Sequence, residues 1–349
     1  MQSRYRSPHP IHPFRRLSTA LPVVALSVLA AIAAPVSAQA QASTSQAQIE
    51  ALEGLFGKQP SFRRSHAKGL CASGVFIGNA AGRALTTARV FSGEPVPVVV
   101  RFSVGGPNPK ASDKGRTVRE LAIAMSGADG QQWQMAVLSA PVFFVARPEH
   151  FAGFLQARTP DPATGRPDPQ KLKAFNDAHP ETLRQAAYLS QAPVPASFGT
   201  VQYWSTNAFE LVDGRGEARF ARYQFVPEAG IRGLSDDELK SLPDDFLADE
   251  LRRRVGTAPV SFTFQFQLAR AVDPITDPTQ AWPDDRTVVT AGRLVIDRVE
   301  PSAGGARDKV TFNPLVLPEG IRPSADPVLL ARPAPYALSL GRRLTESRP

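Results

Sequence analysis

Residues 260–268 alternate without a break: Phe262, Phe264, Phe266 and Leu268 are apolar, while Thr263, Gln265 and Gln267 between them are polar. A period of two is that of a strand with one buried face. Shorter apolar runs at 96–103, 121–125, 134–138, 207–212 and 288–296 are set apart by glycine and proline, the texture of an antiparallel sheet. Asp213-Gly214-Arg215-Gly216, between two strand-like runs, predicts a hairpin turn. A second periodicity is interleaved with the first. Ile49, Leu52 and Phe56 fall at helical spacing and predict a short amphipathic helix over 45–56. Further helices are expected over 149–156 after Pro148, over 168–189 with a break near Pro180, and over 236–254 interrupted at Pro243. Asp236-Asp237-Glu238 opens the last of these and Arg252-Arg253-Arg254 closes it, which suits the helix dipole. No internal repeat is present, and the proline-rich stretch 273–285 reads as a long surface loop. The pattern predicts one α+β domain dominated by an antiparallel sheet.

The first residues follow neither pattern. Arg4, Arg6, Arg15 and Arg16 precede an apolar stretch over 21–35, and Val36-Ser37-Ala38 offers small residues for a cleavage site. This predicts a signal peptide over 1–38, removed after Ala38 with Ala40 or Ala42 as alternatives, and hence a periplasmic or otherwise exported protein. The stretch is too short and too interrupted by proline for a stable membrane span. Arg15-Arg16 fits a twin-arginine signal loosely, so the export route stays open. A polar, alanine-rich linker is expected over 39–46 and a single domain over 47–349.

Loss of 1–38 removes four arginines and no acids, taking the formal charge from +8 to +4. The remaining cations are scattered among acids, as in Arg215, Glu217, Arg219 and Arg222, so nucleic-acid binding is not expected. A lone cysteine, Cys71, excludes an intramolecular disulfide and reads as a small buried residue. Of the five histidines only His66, His150 and His179 lie beyond residue 38. With no Cys–His cluster and no His-x-x-x-His pattern a zinc site has little support. His150 and His179 each sit at an expected helix end and read as surface or capping residues.

Several segments in order carry a resemblance: Arg63-Arg64-Ser65-His66-Ala67-Lys68-Gly69, Val100-Arg101-Phe102-Ser103, Pro141-Val142-Phe143-Phe144, His179-Pro180-Glu181-Thr182-Leu183, Ala281-Trp282-Pro283, Phe312-Asn313-Pro314, Leu317-Pro318-Glu319-Gly320-Ile321, and Arg332-Pro333-Ala334-Pro335-Tyr336 with Arg343. On these residues, spanning about 62–344, the chain resembles the haem catalase family, in its small exported branch of catalase-related peroxidases. The resemblance implies an antiparallel β-barrel with inserted and flanking helices and haem b buried in the barrel. It makes His66 the distal base, with Ser103 fixing the ring, and Tyr336 the iron ligand. An imidazole titrates near neutrality and suits proton transfer, whereas a phenol needs a cation such as Arg332 to act as phenolate. Arg63, Arg101 and Arg343 match the arginines that bind haem propionates, and Phe143 and Phe151 the rings near the haem.

One departure narrows the chemistry. The family places an asparagine before its Pro-x-Phe-Phe segment to hold the second peroxide, and that position here is Leu138; a one-residue shift would put Ser139 there instead. The expected activity is therefore a peroxidase that reduces hydrogen peroxide or an organic hydroperoxide with an external electron donor, with weak catalase activity. The alternatives are a hydroperoxide isomerase of the allene oxide synthase type and a non-catalytic haem-binding barrel. Tyr203, Trp204 and Trp282 read as packing residues, and a monomer or dimer without membrane attachment is expected after cleavage.

Overall fold

The computed structural model describes residues 27–300 and 310–346, with side chains from residue 39 onward; the cleavage-signal arginines lie outside the described residues. The chain divides after Ala40. The described part of the first unit is helical, and the second unit holds the sheet and the remaining helices.

In chain order the elements are α1 (Ser27–Phe56), β1 (Gly69–Gly78), α2 (Ala80–Arg83), β2 (Pro95–Val104), β3 (Arg119–Ser126), β4 (Gln132–Leu138), α3 (His150–Gln156), α4 (Pro169–Ala178), α5 (Leu183–Gln191), β5 (Tyr203–Trp204), β6 (Phe209–Val212), β7 (Ala218–Pro227), α6 (Asp236–Ser241), α7 (Phe246–Thr257), β8 (Val260–Leu268), β9 (Val288–Val299), β10 (Ile321–Pro323), α8 (Pro327–Ala331) and α9 (Pro333–Thr345). The alternating run is β8, residue for residue. Helical structure begins upstream of the expected helix over 45–56 and runs through the segment read as linker. Ile49 and Leu52 are buried as their spacing implies, but Phe56 is exposed. Pro180 and Pro243 separate helices as expected, because each removes an amide donor and restricts the residue before it.

All strand pairs are antiparallel, and pairing of β7 with β8 closes eight strands into a barrel. β6 and β10 extend one edge beside β7. The hairpin between β6 and β7 forms at the predicted place: the Asp213 carboxylate accepts from the amides of Arg215 and Glu217, and Gly216 supplies the positive φ that the turn needs.

Aromatic rings fill the barrel. Phe76, Phe91, Phe102, Trp133, Phe262, Phe264 and Phe266 are fully buried, and Phe264 alone meets six other rings edge-on or tilted. Along β2, β3 and β4 the residues Val100, Phe102, Leu121, Ile123, Met135 and Val137 join this core. Their alternates Arg101, Glu120, Ala122, Ala136 and Leu138 line a cavity of about 650 Å³ on the other face of the wall. Rings pack the side of the wall that faces the barrel axis, and the cavity lies on its other side, walled also by α1, α3 and α9.

The stretch 273–285 is a loop, yet a pinned one. The Arg222 guanidinium donates to the carbonyls of Gln280, Asp277 and Pro274 and stacks over Trp282, which is buried. Among the described residues no helix is long and apolar enough to cross a membrane.

Candidate active site

Strand register builds one wall of the cavity. Ser103 on β2 pairs with Glu120 on β3, and Glu120 pairs with Leu138 on β4, so the three stand in a row across the sheet. Facing the row is His66, in the loop between α1 and β1, with φ +52, a left-handed conformation that non-glycine residues seldom adopt. The amide of Ala67 donates to Gly106 O at 3.0 Å, and Gly69 lies so close to β2 that a Cβ would fall 2.4 Å from Phe102 O. These contacts hold the histidine against the strands.

Ser103 Oγ lies 3.3 Å from His66 Nδ1 and donates to Glu120 Oε2 at 3.0 Å. A hydroxyl has a single proton. Because it is spent on the carboxylate, Ser103 accepts from Nδ1–H, which leaves Nε2 of His66 as the basic nitrogen. Glu120 Oε2 is itself 3.5 Å from Nδ1. Burial pushes the His66 pKa below the ordinary histidine value; Glu120 opposes this, and Arg101, Arg332 and Arg63 reinforce it. Burial would raise Glu120, but His66, Arg101, Arg332 and the Ser103 hydrogen bond together hold it below the ordinary carboxylate value. Near neutrality the pair is thus a carboxylate beside a neutral imidazole.

Across the cavity stands Tyr336, in the first turn of α9. Pro333 and Pro335 both lie in the first turn of this helix, where amides have no intrahelical acceptor. Arg332 caps that turn, so its guanidinium reaches Tyr336 one turn on: Nε donates to the phenol oxygen at 3.0 Å and Nη2 donates to the same atom. Its third nitrogen donates to Asn207 Oδ1 at 3.2 Å, and Asn207 donates to Asp326, the N-cap of α8. Burial lifts the Tyr336 pKa above the usual tyrosine value with Glu120 adding to it, while Arg332 and Arg63 work against the rise. Arg332 does not ionise the phenol by itself; a further cation at the oxygen is required.

Phe143, Phe144, Phe151 and Phe154 form the apolar side of the cavity, with ring centroids 4.4 to 5.1 Å apart around Phe144. Arg63, Arg101 and Arg343 also line it. Arg63 donates to Val310 O at 2.7 Å, and Arg101 donates to Ala67 O at 3.1 Å beside the histidine. Every residue expected at the site is brought to this one space except Ser103, which stands behind His66. Leu138 lines it as well. Ser139 does not: its hydroxyl accepts from the Arg119 amide at 2.8 Å and cannot stand in for an asparagine. A flat, largely apolar macrocycle bearing two carboxylates and a metal suits this donor set, with rings for its faces, arginines for its carboxylates and a phenol for its metal.

Sequence reasoning missed Glu120 and a buried ionic clasp. Arg64 Nε donates to Glu53 on α1 at 2.6 Å, its Nη2 pairs with Glu346 just after α9, and Arg342 on α9 pairs with the other Glu53 oxygen at 2.7 Å. The Arg64 amide also donates to Ser339 Oγ. The clasp joins the loop that carries His66 to the helix that carries Tyr336. Glu120 had a signal, an acid directly before the strand-like run over 121–125, but nothing in spacing tied it to His66.

The chain is similar to several known proteins. A catalase-related peroxidase of Synechococcus elongatus is 39% identical over 331 residues, 95% of this chain and 96% of that protein. Another from Mycolicibacterium paratuberculosis is 34% identical, covering 84% of this chain and 93% of the relative. A crystal structure of a fungal catalase superposes with a TM-score of 0.75 at 20% identity, over 95% of this chain but 66% of that one, which speaks for the fold alone. The family model for catalase matches residues 49–347, and the chain belongs to the catalase family.

Proposed function

We propose that this chain is a haem b peroxidase that reduces hydrogen peroxide or an organic hydroperoxide with an external electron donor and evolves oxygen slowly. The observation that carries this reading is the row Ser103, Glu120, Leu138, which activates one histidine opposite Tyr336 but ends in a side chain without a hydrogen bond to offer. The relatives named catalase-related peroxidases support it. Tyr336 would hold the iron, with Arg332 spreading the charge of its oxygen; Arg63, Arg101 and Arg343 would take the carboxylates, and Phe143 and Phe151 would lie against the ring.

Bound haem would supply the electrons that split the peroxide bond. The chain's own part is proton handling. His66 Nε2 accepts a proton from the hydroperoxide and delivers it to the departing oxygen, so that hydroperoxide plus two electrons and two protons yields an alcohol and water. Ser103 and Glu120 keep Nδ1 protonated and stabilise the positive charge that the ring gains. The phenylalanines and Leu138 make the entry apolar, which favours an alkyl hydroperoxide. Export, with loss of residues 1–38 before the domain over 47–349 takes up its role, is part of the same reading.

The purified protein should show a Soret band that Tyr336→Phe abolishes or moves. With peroxide and a chromogenic donor it should turn over, and an oxygen electrode should register little gas. No Soret band would refute haem binding. Haem without donor oxidation, or fatty hydroperoxide consumed without any donor, would refute the peroxidase assignment.

A further inference from the structure

Outside the cavity, His150 at the start of α3, His179 at the end of α4 and Glu181 in the following turn converge. One ligand atom from each lies within 4.8 Å of the others. We propose that these three residues bind a divalent transition-metal cation, with zinc as the reference ion, and that the ion ties α3 to the corner between α4 and α5. None of the three lines the haem cavity, so this centre is separate from the peroxidase chemistry.

Distances carry the proposal. His150 Nδ1 and His179 Nδ1 are each 3.7 Å from the same oxygen, Glu181 Oε1. That is too long for a hydrogen bond, which asks for about 2.7–3.2 Å. It lies close to the edge of a tetrahedron whose ligands sit 2.0–2.1 Å from zinc, roughly 3.4 Å. His150 Nδ1 is buried and has no hydrogen-bond partner in the protein, a costly position for a ring nitrogen that metal coordination would relieve. The two ring centroids stand 4.0 Å apart, close enough for both imidazoles to reach one ion.

The surroundings are built to hold this geometry. His179 packs on Phe175 at 4.6 Å, and its carbonyl accepts both the amide and the hydroxyl of Thr182, which closes the turn that presents Glu181. Glu181 follows Pro180, whose ring narrows the backbone freedom of the turn. All three side chains keep part of their surface open, so an ion can enter and water can fill a fourth position. Two imidazoles and a carboxylate suit zinc, nickel or copper better than calcium or magnesium, which prefer all-oxygen shells.

Zinc titrated calorimetrically into the metal-stripped holoprotein should bind once per chain at this site. His179→Gln and Glu181→Gln should each weaken that binding tenfold or more, whereas His66→Gln should leave it in place. Near-saturating zinc should raise the melting temperature of the wild type by about 4 °C and that of the two variants by much less. The Soret band and far-ultraviolet dichroism show whether each variant is folded, and His150→Ala serves as the alternative should one fail. No zinc bound below 1 mM, or equal binding in wild type and folded variants, would overturn the proposal.

Discussion

Glu120 and Leu138 are neighbours on one face of the sheet, and in the proposed reaction they bear on the two halves of peroxide chemistry. Glu120 acts through charge. Burial and three arginines depress the His66 pKa, and Glu120 is the group that opposes them. Because the folded value is depressed, His66 stays a base down to a pH below the ordinary histidine value, and activity should fail only as acid protonates it. In Glu120→Gln the opposing charge is gone, so the acid limb of kcat/KM should move to lower pH while the rate at neutrality drops about tenfold. A limb that moves to higher pH would assign Glu120 another role. Leu138 acts through what it lacks. Asparagine there would present an amide to a second peroxide, and Leu138→Asn should raise oxygen evolution about tenfold on an oxygen electrode. An unchanged rate would mean that the limit on dismutation lies elsewhere. Spacing and resemblance made Leu138 readable in the sequence, whereas Glu120 became visible only once register set it beside Ser103.

Elements are joined by charges that no local pattern reveals. Arg64 stands inside the motif that carries His66, but its partners Glu53 and Glu346 lie 11 and 282 residues away. Periodicity reports which face of a helix is apolar, and it does not report which helix that face will meet. The prolines before Tyr336 show a related limit: a proline breaks a helix from within yet is well placed in its first turn, and only the boundary decides between them. The clasp makes a prediction at this scale. Burial holds Arg64 where water cannot replace its partners, so Arg64→Ala strands the Glu53 carboxylate with Arg342 alone and frees the loop of His66 from α9. The cost should be about 3 kcal/mol in urea unfolding, and haem should dissociate faster, since the histidine and tyrosine sides lose their common anchor. Unchanged dissociation with lowered stability would make the clasp a matter of folding alone.

At the scale of the whole molecule, the hydrophobic pattern made the strands legible, while closure into a barrel came only through the family resemblance. Alternation marks each inner face, but the pairing of β7 with β8 that shuts the barrel depends on twist and on partners across a helical insertion. The same closure decides where chemistry can occur. Rings pack the interior, and the outward-facing alternates of β2 to β4 become the wall of the site. Core and site therefore share a wall while facing opposite ways, and they should respond separately to mutation. Phe264 sits on β8 among six aromatic partners and away from the cavity. Phe264→Ala should cost about 3–5 kcal/mol through the void it leaves, lowering the melting temperature by several degrees. The Soret maximum and the kcat/KM of the protein that remains folded should stay as in the wild type, because Arg101, Ser103 and Glu120 are held by strand register, not by that ring. A shifted Soret band in the folded variant would show that the wall yields to its core, and that the two faces of the barrel are mechanically coupled.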